Sequence, residues 1–93
     1  MAHDGRAVDL EVNKDGEQIE VLLHGHSDRN QRVSFAIEVT GNSNSRHRGS
    51  MTLAANSPQV LSTIKLSARG DWCARVTVEE EDRAPYELTE GSC

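Results

Sequence analysis

Hydrophobic and polar residues alternate with a period of two along most of this 93-residue chain. A period of two is typical of a strand with one buried face, because successive side chains of a strand point to opposite sides. The clearest case puts Val33, Phe35, Ile37 and Val39 on one face, separated by polar or small residues. No segment keeps the 3.6-residue period of a helix. The pattern therefore predicts an all-β chain.

Polar, glycine- or proline-containing breaks divide this pattern into seven short segments. One break, Asn13–Gly16, ends in Asp-Gly, which favours a tight hairpin between two strands. Seven strands at such spacings are typical of a β-sandwich. We predict a seven-stranded immunoglobulin-like antiparallel β-sandwich that forms one domain over residues 1–93. Residues 1–6 are expected to be disordered or vector-derived.

The stretch from Gly41 to Ser67 is predicted to hold a polar loop, a short strand, a corner and a longer strand. Serines and asparagines at 42–45 favour a turn, since their side chains bond to nearby backbone groups. Met51 and Leu53 alternate with hydroxyl residues, and Pro58 ends that strand because it lacks an N–H group. We expect a short, protected edge strand here. In the next strand, Val60, Ile64 and Leu66 are expected to be core residues, as is Leu53.

Composition and motifs exclude several classes of function. The net charge of −5 argues against nucleic-acid binding, which needs a basic surface. No run approaches the roughly 20 apolar residues that span a bilayer, and the N-terminus shows no apolar signal segment. No phosphate loop, nucleophile elbow or His-Glu-x-x-His motif occurs, so we predict no enzyme and no cofactor. His24 and His26 lack further ligands nearby, so we expect both in a solvated turn, without a metal.

The two cysteines allow a disulfide across the last two predicted strands. Cys73 follows Trp72 and so faces away from the core, and Cys93 is the last residue. A hairpin centred near residue 82 would set Cys73 opposite residue 92, within reach of Cys93. Such a bridge over about twenty residues contributes roughly 3 kcal/mol. Free thiols and a disordered terminus are the alternatives.

Charged residues are the remaining candidates for a binding site. Arg46, His47 and Arg48 form the one dense basic cluster, in the loop predicted between the third and fourth strands. It is either a soluble loop tip or a patch that steers an amide-rich, weakly acidic client. Arg32 and Arg75 project from the outer faces of two predicted neighbouring strands, where they make a flat face of mixed charge. The acidic run 79–82 is expected to be a solvated connection.

Residues 41–79 resemble the CsgC and CsgH family of small curli proteins. The resemblance rests on the glycine- and serine-rich loop, the Leu53-Ala-Ala-Asn-Ser-Pro58 corner and the following Leu61-Ser-Thr-Ile-Lys-Leu-Ser67 strand. It implies an immunoglobulin-like fold and a periplasmic protein whose leader has been removed. It also implies an inhibitor of premature amyloid formation by the curli major subunit, acting on unfolded or early oligomeric chains. The Cys-x-Cys pair of enteric CsgC is missing, so CsgH is the closer branch and a redox role is in doubt.

On this resemblance we expect a monomer that does not insert into membranes and binds its client through Arg46, His47, Arg48, Arg32 and Arg75. The alternative is an immunoglobulin-like adhesion or structural module of a cell-envelope assembly. A delay in fibre assembly favours the first function, and a stable complex with a folded partner favours the second.

Overall fold

The alternating segments of the sequence form strands in the computed structural model, which describes residues 6–93. Within that range there are seven strands and no helix: β1 (Val8–Asp15), β2 (Gln18–Gly25), β3 (Gln31–Thr40), β4 (Asn44–Leu53), β5 (Gln59–Ser67), β6 (Cys73–Glu80) and β7 (Tyr86–Gly91). The predicted all-β class and the number of strands are confirmed. The prediction for residues 1–6 lies outside the described residues except at Arg6, whose guanidinium is stacked 4.6 Å from the ring centre of Tyr86.

The strands form two antiparallel sheets, ordered β1-β2-β5 and β4-β3-β6-β7. In a constant-type immunoglobulin domain the fourth strand pairs with the fifth, so that the first sheet holds four strands. Here β4 pairs with β3 and extends the other sheet. As a result β4 and β7 are the two edges of the four-stranded sheet. No helix within residues 6–93 is long and apolar enough to cross a membrane.

The core lies between the two sheets and is almost entirely aliphatic. Strands β2, β3 and β6 each contribute every second side chain, as the alternation predicted. The buried residues are Ala7, Val8, Ile19, Val21, Leu23, Val33, Phe35, Ile37, Val39, Leu53, Leu61, Ala68, Ala74, Val76 and Val78. Phe35 is the largest of these side chains, so it fills the most space in the core.

The alternation fails in one strand, at a β-bulge between β2 and β5. Leu23 pairs with Ser62 and His24 pairs with Val60, so Leu61 is the extra residue. An extra residue reverses which side chains face inward. Leu61 is therefore buried, while Val60 is 50% exposed. The prediction that Val60 is a core residue is wrong for this reason, whereas Ile64 and Leu66 do pack against the core.

Two of the tight turns use the left-handed backbone conformation. Gly16, with φ of 62°, lies in the β1–β2 hairpin predicted from Asp-Gly. Asp82, with φ of 61°, lies in the β6–β7 turn. That turn is shorter than the acidic run suggested, because β6 continues to Glu80. The prediction of a solvated acidic connection is wrong for Glu80, whose side chain is only 3% exposed.

Candidate functional site

The basic cluster of the sequence lies on an edge strand. Residues 44–49 were predicted to be a polar loop, but they belong to β4, which is ten residues long. The turn between β3 and β4 is confined to residues 41–43. The local preference of serine and asparagine for turns is outweighed by the pairing of β4 along the full length of β3. The prediction of a loop is therefore wrong, and so is that of a short edge strand.

The alternation of β4 separates the members of this cluster. Arg46 and Arg48 pair with Glu38 and Ala36 on the outer face of the sheet. His47 pairs with Ile37 and so lies on the opposite face, where its ring centre is 6.3 Å from that of Phe35. The guanidinium groups of Arg46 and Arg48 thus lie on the outer face, and the imidazole of His47 lies on the other face.

A shallow groove runs over the outer face of β4, β3 and β6. Its floor is formed by small side chains of β3, Ser34 and Ala36, with Thr77 of β6 beside them. Arg48 and Glu79 border it from the two neighbouring strands. Small residues on the floor leave the backbone close to the surface, so the groove admits an extended chain but offers little apolar area.

Four arginines lie on this face, and three of them have partners. Arg46 pairs with Glu38 at 3.0 Å, and Arg75 pairs with Glu87 at 3.6 Å. Arg32 donates to Ser50 Oγ at 3.1 Å. Arg48 makes no hydrogen bond or ion pair with any residue that the structure describes. Arg48 is therefore the guanidinium most available to an incoming acidic group.

Charge is distributed unevenly along the chain, although Arg46, Lys65 and Arg69 pair with glutamates of neighbouring segments. Residues 39–70, which include β4 and β5, hold four basic residues and no acidic one, a net charge of +4. The rest of the chain holds six basic and fifteen acidic residues, a net charge of −9, so the whole chain carries −5. Because β1 and β7 contact each other, β4 and β5 lie on the opposite flank. We call the side formed by β4 and β5 the basic flank.

The other edge of the sheet, β7, is fastened by covalent and polar contacts. Cys73 and Cys93 form a disulfide, with Cα atoms 5.0 Å apart. The strand register sets Cys73 opposite Gly91, not opposite residue 92. The N–H group of Ser92 donates to the carbonyl of Trp72 at 2.7 Å. These contacts hold the end of β7 against the start of β6.

A second fastening of β7 is built around Glu80. Its carboxylate accepts hydrogen bonds from the Tyr86 hydroxyl and from the N–H group of Ala7, the latter at 2.8 Å. Burial raises the pKa of the Tyr86 hydroxyl, and the hydrogen bond to the Glu80 carboxylate raises it further. The sequence did contain a signal for this site, because Glu80 continues the inward positions of Val76 and Val78.

The histidines that the structure describes lie at separate places in the fold. His24 lies in β2, contrary to the prediction of a turn, and its Nε2 is 2.6 Å from Oε1 of Glu11 on β1. His26 follows that strand, and its backbone N–H group donates to the carbonyl of Ala7. Within residues 6–93, no three His, Cys, Asp or Glu side chains are grouped to hold a metal ion.

Comparison with known proteins links this fold to curli proteins. No family model and no curated protein sequence matches the chain. Among solved structures, the Escherichia coli curli protein CsgC is similar with a TM-score of 0.64 and 17% identity, over 88% of this chain and 94% of CsgC. CsgH of R. palustris is similar with a TM-score of 0.61 and 14% identity, over 90% of this chain and 89% of CsgH.

A third similar structure is an enzyme. The superoxide reductase of Nanoarchaeum equitans has a TM-score of 0.55 and 9% identity, over 99% of this chain and 96% of the reductase. At these identities the three likenesses concern the fold.

Proposed function

We propose that this protein is a periplasmic inhibitor that prevents premature amyloid assembly of curli subunits. The observation that carries the proposal is the likeness of the whole fold to CsgC and CsgH, which are curli proteins. The proposed client is the major curli subunit, unfolded or in early oligomers, and the inhibitor is a monomer. Its role is to bind the client without catalysis or a cofactor.

On this proposal, the fold is a variant of the immunoglobulin-like sandwich. The first, second and fifth strands form one sheet, while the third, sixth and seventh form the other, as in immunoglobulin sandwiches. Only β4 has changed sheets relative to the constant-type order. This change supplies the binding surface, since it places Arg46 and Arg48 beside the outer face of β3.

The client contacts the outer face of the four-stranded sheet at Arg48, with Arg46, Arg32 and Arg75 around it. Arg48 is exposed and has no ion-pair partner among the described residues. The groove beside it presents small polar side chains, so it holds a client without a large apolar contact. Contacts between exposed charges are weak and screened by salt, which suits transient binding. His47 contributes less than predicted, because it lies on the other face.

Fibre assembly kinetics test the proposal directly. Purified protein is added to a freshly desalted curli subunit, and the lag phase is followed by thioflavin fluorescence at increasing ratios. The expected result is a longer lag phase below equal stoichiometry. No change at equal stoichiometry would overturn the proposal, and a stable complex with a folded envelope protein would then favour an adhesion module.

Charge reversal tests the role of Arg48 in this activity. Arg48→Glu replaces attraction by repulsion, which costs about 1 kcal/mol at an exposed site. We therefore expect that about fivefold more protein is needed for the same delay. Lys14→Glu is the matched control, since it makes the same charge change at an exposed position of β1. Equal loss in both variants would assign the effect to net charge and not to this surface.

A further inference from the structure

The free edge of β4 is the longest unprotected backbone of the four-stranded sheet. β4 runs for ten residues and pairs with β3 on one side only. An edge strand of this kind exposes a row of N–H and C=O groups that another strand can bond to. β7, at the other edge, has six residues.

The usual devices that block an edge are missing from the middle of β4. No proline lies between residues 44 and 53, and the β3–β4 register continues without a bulge from Thr40–Asn44 to Gln31–Leu53. The only protection is charge, from Arg46 and Arg48. Charge of one sign excludes partners of the same sign and admits those of the opposite sign.

We propose that an extended acidic segment of a client adds to β4 as a fifth strand of this sheet. Strand addition gives affinity through main-chain hydrogen bonds and specificity through alternate side chains. Arg46 and Arg48 supply that specificity on the outer face, where carboxylate or amide side chains two residues apart on the added strand lie beside them. The inference deepens the proposed function, on which the identity of the client rests.

A second copy of β4 is a poor occupant of this edge. If two β4 strands paired antiparallel through their centres, Arg46 and Arg48 of one copy would lie beside those of the other. Like charges that face each other across a strand pair are destabilising. The chain has no acidic residue between Glu38 and Asp71, so neither β4 nor β5 can supply the complementary strand.

The inner face of the edge defines a second requirement for the added strand. Gly49 lies directly across from Phe35, and a Cβ atom built on Gly49 would lie only 2.8 Å from Cζ of that ring. The ring therefore extends over Gly49 to the edge of the sheet. A side chain next to Gly49 on an added strand would contact the ring, as in aromatic rescue of an edge glycine. We expect apolar residues to alternate with the acidic ones.

Amide hydrogen exchange distinguishes strand addition from a loose electrostatic contact. Along β4, one amide of each adjacent pair faces β3 and the other faces solvent, because strand N–H groups alternate in direction. The probe is a ten-residue peptide of alternating glutamate and valine, added to the unmodified protein. At a concentration tenfold above its Kd, we expect every second β4 amide to exchange about tenfold more slowly. Amides of β7 are expected to be unchanged.

Two outcomes would overturn the inference: no binding, or binding that leaves the solvent-facing β4 amides at their free exchange rates. A peptide of alternating lysine and valine is the matched control and is expected not to bind. Arg48→Glu is expected to weaken acidic peptide binding about fivefold. Inhibition of curli assembly without the alternating protection leaves the proposed function standing and removes strand addition. Protection without inhibition supports strand addition and removes the proposed function.

Discussion

β4 and β7 are the two edges of one sheet, and they are held in different ways. β7 has six residues, and the Cys73–Cys93 disulfide and the contacts of Tyr86 fasten it to β6. β4 has ten residues, and its pairing with β3 holds it in the sheet without a disulfide. Acidic residues, Glu87 and Glu90, lie on β7, whereas the charges of β4 are basic.

The difference shows that tethers and charge decide whether a further strand can pair with an edge strand. Both edges leave backbone groups unpaired by the same geometry. On β7 those groups lie on a short strand with a fixed end, which limits the length of any added strand. On β4 they extend along ten residues between guanidinium groups. The following substitutions test this contrast, from the largest expected effect to the smallest.

Removing the ring beneath β4 is expected to have the largest effect. Phe35→Ala leaves a cavity between β3 and Gly49, and such a substitution in a core costs about 3–5 kcal/mol. Urea unfolding measures this loss, and exchange rates should rise more along β4 than along β7. Leu88→Ala, at a half-buried position of β7, is the control with a smaller expected loss. A cost below about 1 kcal/mol for Phe35→Ala would contradict the packing described for this edge.

Opening the tether of β7 is expected to have the next largest effect. The Cys73→Ser and Cys93→Ser double variant removes a bridge with a sequence separation of 20 residues, which is worth about 3 kcal/mol. The urea midpoint should fall, and the amides at the end of β7 should exchange faster while those of β4 do not change. The wild-type protein in reductant provides a second measurement. If β4 loosened equally, the two edges would not be independent.

Loss of the Tyr86 hydroxyl is expected to have the smallest effect of the three. Tyr86→Phe removes a hydrogen bond to the Glu80 carboxylate, which costs about 1–2 kcal/mol at pH 7. The pKa of Tyr86 is raised in the folded state, so its contribution is complete below pH 10 and is lost as the pH rises further. Wild-type stability should therefore fall above about pH 10, beyond the ordinary pKa of tyrosine.

In the Tyr86→Phe variant, stability should no longer show the decrease above about pH 10 that depends on the tyrosine hydroxyl. Urea midpoints between pH 7 and 11 would measure this difference. Phenylalanine keeps the ring beneath Arg6, so it separates the hydroxyl from the stacking contact. An identical alkaline slope in both proteins would sink this interpretation.

Much of the fold follows from alternation alone. The inward positions of β3 and β6 are readable from Val33 to Val39 and from Ala74 to Val78. The bulge at Leu61 was not readable, since it depends on how β5 pairs with β2. Two adjacent hydrophobic residues, Val60 and Leu61, were the only local sign that the alternation of inward and outward positions shifts by one residue there.

The site was harder to predict than the fold. The arginines were identified as a cluster, but their placement needed the register of β4 against β3. Asn44 and Ser45 prefer turns locally, and for that reason residues 44–49 were predicted to be a loop and not a strand. The lack of a partner for Arg48 depends on contacts between strands, which a single sequence does not contain. The inward position of Glu80, in contrast, follows from the alternation of Val76 and Val78.

The basic flank carries Arg48, a cation without an ion-pair partner among the described residues, on a molecule whose total charge is negative. Beyond the screening length of about 8 Å at physiological salt, an acidic chain meets only the weak field of an anion. Closer in, it is attracted or repelled according to which side the protein has turned toward it. Rotational diffusion thus decides the outcome of each approach, and only encounters in one orientation last.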